Sequence, residues 1–140
     1  MAKLTIRIDL SSGAIGPGKI RLLERVGESG SISAAGRAMD MSYRRAWMLI
    51  DSLNRCFRTP VVETQLGGNR GGGAALPELG HDLIARYRTI ERAAAKAGSS
   101  DLAALDAAQA SSRAAAGEGR RRALAGARRR SSSMPRRARG

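Results

Sequence analysis

Two adjacent arginines, Arg44 and Arg45, open the segment SYRRAWMLIDSLNRC, whose apolar residues recur at helical spacing, and Arg55 stands near its far end. Guanidinium groups on the outer face of a helix are forked donors that match the guanine edge or a phosphate. Ser42 just before them is a natural N-cap, so Ser42 and Tyr43 would lead the same helix end toward a ligand. A second basic motif, GGNRGGG, sets Asn69 and Arg70 among five glycines, with Gly71 following directly. Glycines let backbone N–H groups come close to an anion. A nucleotide phosphate loop is not expected there, because that needs a lysine then Ser or Thr opening a helix after a buried strand.

The remaining reactive side chains do not add up to a catalytic or metal site. One histidine and one cysteine cannot assemble a zinc centre of three or four ligands, and a lone cysteine makes no internal disulfide. His81 falls on the polar side of a helical stretch with no Ser, Cys or paired carboxylate at a catalytic spacing, so general base chemistry is not expected. Cys56 reads as a semi-buried thiol between Arg55 and Arg58, with redox sensing as the minor alternative. Trp47 invites a base-stacking role, but beside an apolar helical stripe it is assigned to the core. No enzyme, metal or cofactor is expected.

The elements that position the arginines follow from periodicity and caps. Leu4, Ile6, Ile8 and Leu10 alternate with polar residues, as in a half-buried strand, and Ser11 to Gly16 turn the chain. Pro17 starts a helix bearing Ile20, Leu23 and Val26, which Gly27 and Gly30 end. Ser31 caps a short second helix carrying Ile32, Ala34, Ala35 and Met39, with a tight connection at Asp40 and Met41. On the third helix Ala46, Ile50, Leu53 and Phe57 lie within about 60° of one another, which leaves Arg44, Met48, Asp51 and Arg55 on the opposite face. Thr59-Pro60 breaks that helix, PVVETQ is strand-like, and LGGNRGGGAAL reads as the long positively charged tip of a hairpin. From Glu78 a fourth helix aligns Leu79, Leu83, Tyr87, Ile90 and Ala94 on one stripe that packs on the domain or on a second copy.

Charge names the partner class. The 140 residues carry 25 Lys+Arg against 12 Asp+Glu, a net +13. A surplus this large repels itself unless a polyanion neutralises it, and nucleic acid is the leading candidate. Residues 98–140 lack aromatics, Ile, Val and Lys and are rich in Ala and Arg, so they are expected to be a largely disordered basic tail with a marginal helix over 101–116. That tail is either a sequence-independent DNA grip or a solvated run. Nowhere do about 18 apolar residues run together, and MAKLTIRIDL alternates instead of forming an export signal, so the expected setting is cytoplasmic and nucleoid-associated with no membrane partner.

Helix, short capped helix, tight turn, arginine-bearing helix and glycine-rich hairpin form the layout of a winged helix-turn-helix. The expected fold class is mainly α with a small β-hairpin wing, an N-terminal strand and a C-terminal dimerisation helix, with residues 1–97 as the DNA-binding domain. In GSISAAGRAM, SYRRAW and GGNRGGG, at consecutive positions, residues 4 to 96 resemble the N-terminal DNA-binding domain of ModE-type molybdate-responsive, LysR-related regulators. The resemblance implies that Ser42 through Trp47 open the recognition helix, that Gly67 to Gly73 form the wing tip, and that the fourth helix takes part in dimerisation. Asn69 and Arg70 depart from a family pattern of lysine then glycine, and Pro77 from a threonine. Family members that sense molybdate carry a separate C-terminal oxyanion-binding domain where this sequence has a basic, alanine-rich tail, so this polypeptide is expected not to sense oxyanions alone, with any effector or sensor protein unidentified. The implied function is sequence-specific DNA binding as a homodimeric transcription regulator. The alternative is a nucleoid-type architectural protein that coats DNA without sequence choice.

Overall fold

A computed structural model describes residues 1–65 and 73–110. Lys3–Ser99 make one compact unit, and the described residues outside it, Met1–Ala2 and those from Ser100 to Ala110, belong to a second. In the first, β1 (Ile8–Leu10) and β2 (Gly13–Ile15) pair antiparallel, with Ile8 opposite Ile15 and Leu10 opposite Gly13. The expected strand from Leu4 is therefore shortened, and the expected turn over Ser11 to Gly16 contains a strand. Half-burial does alternate along Leu4, Ile6 and Ile8, but the backbone finds a ladder partner only where the chain doubles back after Ser11 and Ser12. Tyr87 holds the unladdered part by donating its hydroxyl to the Ile6 carbonyl at 2.6 Å.

Helix α1 (Pro17–Ser29) starts with proline at its first position and closes on Gly30, whose φ of 67° lets its N–H bond the Val26 carbonyl at 2.8 Å. Gly27 does not end it, contrary to expectation. It sits within the last turn, and a Cβ there would lie 2.9 Å from the Leu76 side chain, so glycine makes room for Leu76. Helix α2 (Ile32–Ala38) is capped by Ser31, whose hydroxyl accepts from the Ala34 N–H at 3.1 Å. The α2 to α3 turn relies on Gly36, whose carbonyl accepts from the Met39 and Met41 N–H groups, and on Asp40 at φ 53°, a region Asp tolerates better than most residues. A Cβ on Gly36 would stand 3.0 Å from that of Ala46, so glycine and alanine let α2 and α3 cross closely.

Helix α3 (Tyr43–Cys56) buries Ala46, Ile50 and Leu53, as its periodicity requires, with Phe57 half-buried at the C-cap. Strands β3 (Glu63–Gln65) and β4 (Gly73–Ala75) pair antiparallel with Gln65 opposite Gly73. Beyond that pair the Ala74 N–H bonds the Gly30 carbonyl at 2.9 Å, which pins the hairpin to the end of α1. The expected strand at PVVETQ is shorter, because Val61 and Val62 turn into the core before the ladder begins. Helix α4 (Glu78–Ala97) then packs Leu83 and Tyr87 into the core formed by Ile15, Ile20, Leu22, Leu23, Val26 and Ile32 with the α3 residues. Arg88 ties α4 to α1 through Glu24, and its guanidinium also bonds Glu91 at 2.8 Å. Those two carboxylates push the Arg88 pKa above its ordinary value, the Glu24 hydrogen bond acting most strongly.

A fifth helix, α5 (Ser99–Ala108), has no buried residue. Residues 111–116 of the expected helix lie outside the described residues, as does the basic run after them.

Candidate nucleic-acid interface

Helix α3 is held by its inner face and offers its outer one. Its first turn is organised by Ser42, whose hydroxyl accepts from the Arg45 N–H at 3.1 Å. That first turn carries no acidic residue, so the positive end of the helix dipole adds to the two arginines and favours an anion. Arg44 and Arg45 are both exposed, and neither forms a salt bridge among the described residues. Arg55 is placed on the same outer face, but its guanidinium already pairs with Asp51 at 2.9 Å, one turn back. Tyr43 is 60% exposed at the leading end. Of the expected contact residues, Ser42, Tyr43, Arg44, Arg45 and Arg55 thus share one helix, while Asn69, Arg70 and Gly71 lie outside the described residues.

Trp47 is not a core residue, in contrast to the sequence-based assignment. The residue is 36% exposed, and its ring meets Tyr43 edge-on, with centroids 6.1 Å apart and planes at 74°. The geometry explains why: at about 100° per residue, position 47 lies roughly a quarter-turn from the centre of the Ala46, Ile50 and Leu53 stripe. Angular position outweighs residue type here. Met48, 63% exposed, adds a second large apolar side chain on the outer face.

The placement of the hairpin depends on a residue that sequence reasoning missed. Asn54, in the last turn of α3, accepts with Oδ1 from the Val61 N–H at 2.8 Å and the Val62 N–H at 3.1 Å, and its Nδ2 donates to the Val62 carbonyl at 3.2 Å. It fastens the segment leading into β3 against α3. A polar side chain beside the buried stripe and ahead of the Thr59-Pro60 break was the available signal. Lys19 makes a comparable tie, donating to the Ala14 carbonyl at 2.7 Å and to Ser52 Oγ at 3.1 Å, which joins α1 to β2 and α3. Cys56 is half-buried, its thiol donating to the Ser52 carbonyl at 3.3 Å.

The α4 stripe divides. Leu83 and Tyr87 are buried within the protomer and Leu79 packs against the same core, so these three of the five expected dimer contacts are occupied internally. Ile90, 46% exposed, and the half-buried Ala94 are the part of the stripe left toward solvent. Burying Tyr87 raises its phenol pKa above the ordinary value, helped by Glu91 and opposed by Arg88. Among the described residues no group of three or more His, Cys, Asp or Glu is placed to hold a metal ion. No described helix is long and apolar enough to cross a membrane.

No protein-family model matches the chain. It is similar to the molybdenum-pterin-binding protein MopB of Rhodobacter capsulatus, 40% identical over 89 residues that make up 64% of this chain and 33% of that protein. It is also similar to the molybdenum transport protein ModE of Azotobacter vinelandii, 35% identical over 91 residues, 65% of this chain and 33% of the relative. The DNA-binding transcriptional dual regulator ModE of Escherichia coli K12 is 37% identical over 81 residues, 58% of this chain and 31% of its own length. The crystal structure of the CbnR_DBD–DNA complex aligns with a TM-score of 0.49 and 22% identity, covering 63% of this chain and 95% of that one. The chain thus spans about a third of the length of the curated relatives it matches. Over its N-terminal 60% or so it is similar to ModE and to the molybdenum-pterin-binding proteins MopA and MopB, in agreement with the resemblance carried by GSISAAGRAM, SYRRAW and GGNRGGG.

Proposed function

We propose that this chain is a sequence-specific transcription regulator of the ModE N-terminal type that binds double-stranded DNA as a homodimer on an inverted repeat. The carrying observation is the outward presentation of Arg44 and Arg45 on the first turn of a Ser42-capped helix whose opposite face is locked in the core. In this reading α3 enters the major groove, where each arginine bonds a guanine edge or a phosphate, and the Ser42 hydroxyl, already accepting from Arg45, donates its proton to a phosphate oxygen. The hairpin lays Asn69, Arg70 and Gly71 along the backbone. Arg55 is released from Asp51 only if a stronger acceptor replaces the carboxylate, so it acts after Arg44 and Arg45. Ile90 and Ala94 are the dimer contacts that α4 retains. Residues 1–97 are the DNA-binding domain and the basic residues after them add phosphate contacts without sequence choice. No catalytic role is assigned.

The test is selection of bound sequences from a random DNA library with the full chain at about 150 mM salt, where non-specific phosphate contacts are weakened. An enriched palindrome is expected. Replacing Arg44 or Arg45 by Ala should cost roughly 1 to 3 kcal/mol on the selected site and little on random DNA, because a bidentate base contact discriminates by that amount. Equal loss on both DNAs would reject these residues as base readers, and no enrichment with steep salt dependence would indicate an architectural coater. Sedimentation at micromolar concentration tests the dimer, and a monomer there would reject it.

A further inference from the structure

The outer face of α3 carries one feature that arginine-based recognition leaves unused. Met48 lies at the centre of that face, aligned with Arg44 one turn before it and with Asp51 and Arg55 after it. It is 63% exposed, although the core stripe of the same helix is complete without it. Every other member of its row is charged, and Asp51 and Arg55 neutralise each other at 2.9 Å. The row therefore presents a cation, an apolar side chain and an internally compensated pair. The C5-methyl of thymine is the one methyl group that the standard bases present in the major groove, and it is the groove's apolar recognition feature. An unbranched thioether side chain adapts its shape to such a small apolar target.

We propose that Met48 reads the C5-methyl of a thymine in the major groove and so makes the recognised half-site thymine-dependent. This rests on the DNA-binding reading above. Arg44 and Met48 are separated along the helix axis by about 6 Å, from a rise of 1.5 Å per residue. Base pairs are stacked about 3.4 Å apart. The thymine accordingly falls within about two base pairs of the guanine that Arg44 bonds. Asp51 adds no net repulsion for as long as Arg55 is paired with it. Tyr43 and Trp47 are the other large exposed apolar side chains of α3, but Tyr43 stands at the helix end, Trp47 lies about a quarter-turn from the centre of the outer face, and their rings engage each other.

The experiment uses the full chain and the half-site recovered by selection. Each thymine is replaced in turn by deoxyuridine, which removes only the methyl and leaves pairing and O4 unchanged. Binding is measured by fluorescence anisotropy for the wild type, Met48→Ala, Met48→Leu and Tyr43→Ala. One deoxyuridine near the Arg44-dependent guanine should weaken wild-type binding about fourfold, the effect of one buried methyl-sized group. Met48→Ala should be indifferent to that replacement, while Met48→Leu should keep the penalty. All of these side chains are exposed, so circular dichroism should show an unchanged fold. The proposal is overturned if no thymine is sensitive, if the penalty persists in Met48→Ala, or if Tyr43→Ala alone removes it. In those cases the enriched site still stands, so the DNA-binding reading survives. A selection that enriches nothing overturns both.

Discussion

Asn54 offers the most direct test of how α3 and the β3–β4 hairpin are held together. Its Oδ1 is the side-chain acceptor for the N–H groups of Val61 and Val62, which are 0% and 3% exposed. Replacing Asn54 by Ala leaves two donors without a partner in a segment that is buried in the intact protein. Each orphaned buried donor costs about 1 to 3 kcal/mol, and the half-buried position of Asn54 admits some water on truncation, so the expected loss is roughly 2 to 4 kcal/mol. For a domain of this size that lowers the melting temperature by about 10 to 20 °C. Asn54→Asp provides the internal control. It retains the acceptor for both N–H groups, but it loses the donor to the Val62 carbonyl at 3.2 Å and points a carboxylate oxygen at that carbonyl. Its penalty should be smaller, about 1 kcal/mol. Urea unfolding followed by circular dichroism, at constant m-value, gives both numbers. An Asn54→Ala variant within about 0.5 kcal/mol of the wild type, or an Asp variant as unstable as the Ala one, would refute the assignment.

Three further outcomes are expected. A Cβ on Gly80 would lie 2.2 Å from the Val61 carbonyl oxygen, so Gly80→Ala must displace α4 from that segment, and a loss of about 1 to 3 kcal/mol is expected in the same unfolding assay; a neutral result would contradict the close approach. Tyr87→Phe deletes the bond to the Ile6 carbonyl and should lower stability by about 1 kcal/mol near neutral pH. Because burial raises the Tyr87 pKa, that residue's contribution is intact below its unfolded value of about 10 and is lost as pH rises through the folded value, so the wild type's advantage over Tyr87→Phe should shrink above pH 10, and a constant difference up to pH 11 would argue against it. Arg70→Ala should weaken binding to all sequences alike and reduce the salt slope by about one unit, whereas a loss confined to the selected site would make Arg70 a base reader.

Much of the fold could be read from local signals, because helices are specified by contacts three and four residues apart. The side-chain caps expected of Ser31 and Ser42 are present at 3.1 Å, and Pro17 begins α1. The arginine-bearing face of α3 follows from the phase of Ala46, Ile50 and Leu53 alone. Short strands have no such local rule. A three-residue strand such as β2 exists because β1 supplies its partner, and Gly13-Ala14-Ile15 carries no alternation to announce it. Helix α3 is therefore better defined by the sequence than the hairpins on either side of it.

The sequence by itself determined the helices, their caps, the arginines at the leading end of α3 and the positive charge that names a polyanion as partner. These depend on side-chain chemistry and on spacing along the chain. Only the tertiary structure decided which apolar residues are consumed by the core. It directs Trp47 outward beside Tyr43, buries Leu83 and Tyr87 of a stripe that periodicity leaves open to the domain or to a second copy, and joins Asn54 to a segment eight residues away. The physical reason is that burial is a property of what packs on the other side. Periodicity states which residues share a face, and the neighbouring element determines whether that face meets the core, a second protein or solvent.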